Sequence, residues 1–465
     1  MKRKVLQVTL CMIACVFFNL FSVKAAGPII KGVTVFLSNL TEDNQTLVNE
    51  LAENAVKDVY IQVKSATGEF PAGAPITDFI TKAHAAGMKV YMGYVVNLDT
   101  YYYNENPKSC IYHNPKPPTL DPYPMNDNRI NLLYPGYKEY VVDNIAFFLE
   151  EYDFDGVFLD QLRYNHFVYS FDTHTNKRAA QLGCDTLKVL GYFNTAANYT
   201  TYATNNGIID LYEARTDPDV NIYYDLRKTV LSEYLTAIRD TMDVVRPGLT
   251  LSAIFYPEFG KTALCHYAQD YSLQTEFMDQ VWPMAHMGTF SQSNTDWVGT
   301  TTQTALGLVN GKCDVVTYIA QTASYTPAIL NEQITKAIAA GSNGIVVASY
   351  NTITSSSAWS TIKTNFEAWE ETALNNVYAD RILSQNSPNP FSIQTEIAFK
   401  VENQGKVELN VFDALGRKVS SLVNKNLVPG TYKVNFEANG LSDGVYFYRL
   451  EMDGLNAVRK MVLKK

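Results

Sequence analysis

The sequence predicts an α/β fold, a (β/α)8 barrel, followed by a small all-β sandwich. Three observations carry this. Between residues 30 and 370 eight short apolar runs recur, separated for the most part by amphipathic helical stretches. The run at residues 154–160 stops abruptly at a carboxylate, which is how a barrel strand delivers a functional acid to its C-terminal face. After Trp369 the pattern changes to short alternating segments separated by Gly and Asn turns.

The chain has 465 residues, 46% hydrophobic and 18% charged, enough for a large core and two or three domains. A formal charge of -9 and a pI near 5.3 argue against a nucleic-acid partner, which normally wants a basic stripe. Aromatic residues are abundant, 31 Tyr and 23 Phe, and their flat faces suit both core packing and carbohydrate.

Met1-Lys2-Arg3-Lys4 supplies a positive n-region, residues 5–23 an apolar h-region and Val23-Lys24-Ala25 a small-residue cleavage site, so residues 1–25 read as a secretory signal peptide. No second apolar span follows, so the mature chain from Ala26 is expected to have no stable membrane span. Cys15 lies inside the h-region and is not a lipoprotein acylation site. Export permits disulfides, but the spacing of Cys110, Cys184, Cys265 and Cys313 defines neither a framework nor a metal knuckle.

The barrel domain is expected over residues 28–375. Residues 32–39 (GVTVFLSN) form the first strand and 47–56 its helix; 59–65 form the second, with a helix over 76–86; 89–97 (KVYMGYVVN) form the third. The connection that follows, through Tyr101, Pro107, Pro115, Pro117 and Pro118, is too long for an ordinary βα loop. An amphipathic run over 137–152 leads into strand four. A polar insertion spans 165–221, a helix covers 224–245, and 249–256 (LTLSAIFY), 280–286 (QVWPMAH), 314–321 (DVVTYIAQ) and 344–350 (GIVVASY) are strands five to eight. No GxGxxG opens the first βα turn, so no dinucleotide site is indicated; HExxH, EF-hand, P-loop and GxSxG patterns are also missing, and no metal or cofactor is expected.

Strand four ends in Asp160, with Arg163 and Tyr164 behind it. Asp160 reads either as a catalytic carboxylate or as an N-cap of the segment after the strand. A glycosidic bond is cleaved by two carboxyl groups. The second candidate is Glu258, which follows Tyr256-Pro257 beyond strand five and reads either as a partly desolvated acid beside Tyr256 and Phe259 or as an exposed loop residue. Asp99, Glu213, Asp217, Asp219 and Asp225 compete for that role. Gln62, Lys64, Trp282, His286, Gln321, Tyr350 and Asn351 could contact a sugar or serve as packing.

Asp155-Gly156, Leu159-Asp160 and Arg163-Tyr164 match a bacterial glycoside hydrolase group whose strand four reads DGIHLDYIRYP, and the run Asp279-Gln280-Val281-Trp282-Pro283-Met284 adds to the resemblance. Phe158 replaces a His of that pattern, Asn165 its closing Pro, and His286 a Tyr. The resemblance implies a (β/α)8 glycoside hydrolase acting on a poly- or oligosaccharide. The phrase FDGVFLD also resembles the endo-α-polygalactosaminidases, which keep a second acid soon after it, where this chain has Gln161, Leu162 and Arg163. Family 18 chitinases place their acid where this chain has Leu162. A non-catalytic glycan-binding barrel is the alternative to an enzyme.

Residues 376–381 read as a short linker and 382–465 as the sandwich, with turns at Gly405, Gly416, Gly430, Asn439-Gly440 and Asp443-Gly444. The run 383–391 (LSQNSPNPF), then Val411-Phe412-Asp413-Ala414-Leu415-Gly416-Arg417, Gly444-Val445-Tyr446 and the basic terminus resemble the type A C-terminal sorting domain of the type IX secretion system. That resemblance implies a partner, the type IX machinery, and passage through the periplasm of a Gram-negative bacterium to the cell surface or medium.

Overall fold

The computed structural model describes residues 29–68, 73–452 and 455–465, so the leader expected over residues 1–25 lies outside the described residues. Eight parallel strands close into one barrel: β1 (Ile30–Phe36), β2 (Asp58–Lys64), β3 (Lys89–Val95), β4 (Gly156–Asp160), β5 (Thr250–Phe255), β6 (Gln280–Pro283), β7 (Asp314–Ala320) and β8 (Gly344–Ala348). Each strand pairs with its sequence neighbours, and β1 pairs with both β2 and β8. The predicted barrel is therefore present, each strand but β4 ending one to three residues before its apolar run does, and β4 ending with its run at Asp160.

Successive side chains of a strand point to opposite faces, and the sequence uses this period throughout. One residue from each strand, Ile30, Tyr60, Tyr91, Phe158, Ile254, Trp282, Val316 and Val346, forms a closed apolar cluster inside the barrel. Tyr60 stacks on Tyr91 at 4.6 Å and Phe158 on Trp282 at 5.4 Å. The alternate set, including Val33, Val59, Val157, Leu159 and Val315, packs outward against the helices in a second, larger core. Rings this large fit only where a neighbour is small: a Cβ on Gly93 would lie 2.3 Å from the Phe158 ring.

The Asp155-Gly156 pair is structural. The Asp155 carboxylate accepts from the Val90 N–H at 2.7 Å and pairs with His84 Nε2 at 2.9 Å, tying the start of β4 to β3 and to helix Ala74–Ala85. A Cβ on Gly156 would lie 2.2 Å from the Thr250 carbonyl oxygen, so glycine lets β5 approach.

Two connections deviate from ordinary βα loops. The β3–β4 segment carries helix Thr100–Glu105 and a two-stranded ribbon, Tyr112–His113 with Tyr123–Pro124. The segment after β4, expected as a polar insertion, is largely helical: Thr173–Gln181, Thr186–Gly191, Ala196–Tyr199 and Gly207–Ala214. Asp172, Asp185 and Thr195 cap the first three through their side chains, which compensates for weak apolar patterning. The next helix is Pro218–Val245, six residues longer than expected at its start, because Asp217 caps it and Pro218 occupies its first turn. Helix Trp359–Ile382 runs through residues 376–381, where a linker is expected.

The tail is all-antiparallel. β9 (Gln394–Val401) pairs with β12 (Gly430–Glu437), and a second sheet has the order β11 (Lys418–Leu427), β10 (Gly405–Asp413), β13 (Gly444–Met452), β14 (Leu455–Leu463). Both sheets contribute to one core of their own, with Ile397, Phe399 and Phe436 from the first and Leu409, Val411 and Leu450 from the second. The 383–391 run is built into this core: Leu383 and Phe391 are buried, and the Asn386 N–H donates to the Tyr448 hydroxyl at 2.7 Å.

Candidate active site

Two residues beyond Phe158, in the same inward phase, β4 ends in Asp160. Its carboxyl sits above the aromatic cluster, partly exposed, and Oδ1 accepts from the Gln161 N–H at 2.7 Å. Gln161 adopts φ 57, so the chain turns sharply at the carboxylate and does not continue into a helix. Burial raises the Asp160 pKa above the ordinary carboxylate value, opposed by the positive charge of Arg163 and by the Gln161 N–H.

Arg163 is buried, donates to the Tyr256 hydroxyl at 2.8 Å and lies 4.1 Å from the centre of that ring. Tyr267 packs on Tyr256 at 4.5 Å, and its hydroxyl donates to Glu258 Oε1 at 3.4 Å. Asp160 and Glu258 are thus linked through Arg163 and two tyrosines. Glu258 is exposed, contrary to the desolvated setting that its neighbours Tyr256 and Phe259 suggest, because Phe259 turns to pack on Tyr271.

On the other side of the mouth, the ends of β1, β2, β7 and β8 enclose a cleft of about 210 Å³. Gln62 and Gln321 line it, together with Thr34, Phe36, Tyr318 and Ser349. Tyr318 connects this cleft to Asp160, whose charge helps to raise the tyrosine's pKa after burial, the larger cause. Tyr318 is not among the sequence-derived candidates, yet it lies in phase with Val316 of the inner cluster, a signal that period-two counting along DVVTYIAQ would have given.

Other candidates are placed elsewhere. Lys64 is fully buried, donates to the carbonyls of Val95 and Leu98 and pairs with Asp99, so it braces the β3 exit and offers nothing to a sugar. Trp282 has 0% exposure within the inner cluster, one layer too deep to meet substrate. Tyr164 is buried against Arg227, its ring 5.0 Å from the guanidinium carbon. Tyr350 donates to Glu50 at 2.6 Å and so faces the helix after β1, while Asn351 accepts from Asn39. His286 is buried against Tyr318 at 4.4 Å, and burial lowers its pKa to about 4.

The competing carboxylates all have structural partners. Asp217 and Asp219 share Lys188, Asp225 pairs with Arg215 and Lys228, Glu213 accepts from Thr262, and Asp99 holds Lys64. Cys110, Cys184, Cys265 and Cys313 are all buried, and Cys110, Cys184 and Cys265 are free thiols. Among the described residues no group of three or more His, Cys, Asp or Glu converges as a metal site, and no helix is long and apolar enough to cross a membrane.

Residues 387–464 match the family model described as "Secretion system C-terminal sorting domain". The barrel is similar in fold to the PgaB (BpsB) glycoside hydrolase domain from Bordetella bronchiseptica, with a TM-score of 0.57 and 14% identity over 73% of this chain and 99% of that one. It is also similar to the catalytic domain of a β-amylase from Paenibacillus polymyxa, with a TM-score of 0.53 and 13% identity over 73% of this chain and 98% of that one. A β-galactosidase from G. stearothermophilus aligns with a TM-score of 0.51 and 10% identity over 74% of this chain and 57% of that one. No curated protein matches the chain.

Proposed function

We propose that the barrel is a glycoside hydrolase of a secreted protein, with Asp160 at the reacting centre. The observation that carries this reading is a carboxyl at the C-terminal end of β4, raised in pKa by burial and poised between the Arg163–Tyr256 pair and the cleft that Gln62, Gln321 and Tyr318 line. A carboxyl that keeps its proton to higher pH suits the general acid that protonates a leaving glycosidic oxygen. That gives the acid role to Asp160 and leaves the exposed Glu258 as the carboxylate that acts on the anomeric carbon or activates water. Arg163 is a positioning residue: its charge limits the rise at Asp160 while its planar group holds Tyr256.

The exposure of Glu258 favours a second reading, a barrel that binds glycan without cleaving it. The two readings separate on the full chain. Asp160→Asn is expected to abolish release of reducing sugar from a panel of polysaccharides while binding persists; full activity in that variant overturns Asp160 as the reacting carboxyl, and a wild-type chain that binds glycan but releases no sugar overturns the hydrolase reading. For export, the tail with its own core supports a type IX sorting role. Deleting residues 382–465 is expected to leave a folded barrel in the periplasm of a host with that machinery, and normal secretion of the shortened chain overturns it.

A further inference from the structure

We propose that the cleft beside Asp160 takes one neutral sugar ring, held by its hydroxyls on two fixed amide oxygens, and refuses uronic or sulfated sugars. The inference rests on the carbohydrate reading of the barrel and names the substrate class of that site. Its starting point is the orientation of two glutamines. Gln321 is buried, and its Nε2 donates to the carbonyls of Tyr325 at 2.7 Å and Thr322 at 3.3 Å. Gln62 Nε2 donates to the Lys64 carbonyl at 2.8 Å.

Turning either amide over would set an oxygen against a backbone carbonyl oxygen, so the network fixes which atom is which. Both amides therefore present oxygen as the unspent atom. Gln321 Oε1 is buried and has no partner among the described residues. An amide oxygen only accepts, and a buried acceptor left unpaired is costly, so the cleft is built for a ligand that donates. Sugar hydroxyls donate; an ionised carboxylate or sulfate only accepts and would meet these oxygens with repulsion.

Charge and size narrow the class further. Among the described residues no Lys or Arg lines the cleft, so nothing there would compensate the carboxylate of a uronic acid. A volume of about 210 Å³ is below the range of roughly 300 to 1,000 Å³ typical for larger ligands, which suits a single ring with the remaining chain outside. At the rim Phe36 is 45% exposed and offers an apolar face for a pyranose.

The test is direct binding by the full chain carrying Asp160→Asn, read by saturation-transfer NMR. The probes are the methyl glycosides of glucose, galactose and mannose and the matching methyl glucuronide and galacturonide. At least one neutral glycoside is expected to bind, with its charged counterparts weaker by about tenfold or more, the low end of the discrimination a pocket achieves between related ligands. Adding Gln321→Met, and separately Gln62→Met, which leaves the β7 exit intact, is expected to weaken the neutral probe in both cases. Equal or tighter binding of a charged probe, binding insensitive to both changes, or no binding by any probe overturns the inference. Binding of a neutral probe by a wild-type chain that cleaves nothing removes the hydrolase reading alone. Preference for a charged probe in a chain whose turnover depends on Asp160 removes this inference alone.

Discussion

The Lys64 ammonium lies 3.1 Å from the Asp99 carboxylate, and neither side chain has any exposed surface. Asp99 also caps helix Thr100–Glu105 by accepting from the Tyr102 N–H at 2.7 Å, so the pair fastens the long β3–β4 connection onto the barrel. Desolvation drives the Lys64 pKa down to about 8, with Asp99 opposing it.

Removing one partner leaves the other charge buried alone, a loss of about 3–5 kcal/mol. Lys64→Met is therefore expected to lower the urea midpoint sharply. In the fraction that remains folded, KM on any cleaved glycan should be unchanged. A raised KM with normal stability would return Lys64 to the substrate site.

Asp160 behaves in the opposite sense. Its folded pKa is raised, so the folded state holds the proton more tightly than the unfolded state, and stability falls as pH rises from the ordinary aspartate value of about 3.9 to the raised one. Above that window the ionised group costs stability. Asp160→Asn is expected to raise the Tm at pH 7, with the gain vanishing below about pH 3.9. A lower Tm at pH 7 would mark Asp160 as a stabilising cap.

Gly93 faces the Phe158 ring beneath Asp160. Gly93→Ala is expected to destabilise by about 1–3 kcal/mol through overpacking, and to reduce turnover by displacing β4. Adding Phe158→Leu makes room for the methyl group and should recover part of the stability. Additive losses in the double variant, measured by chemical denaturation, would show that the two side chains do not meet.

Much of the molecule is legible in one dimension. A buried parallel strand needs only an apolar run bounded by turns, so eight such runs were enough for the barrel, and the change of pattern after Trp369 was enough for a separate β domain. Asp160 was readable because it ends its run in phase with Phe158, and the exit from an apolar strand is a local property. The depth of the other candidates was decided by the tertiary structure. Trp282 and Gln321 both sit near strand ends, yet one lies in the inner cluster and the other borders the cleft, because depth depends on the stagger of neighbouring strands. Lys64 is in phase with Gln62 along β2, but a register irregularity between them and the returning Asp99 segment bury it. Strand identity comes from contacts a residue makes with its own neighbours in sequence; exposure at the mouth comes from segments tens of residues away, whose arrival no local pattern encodes.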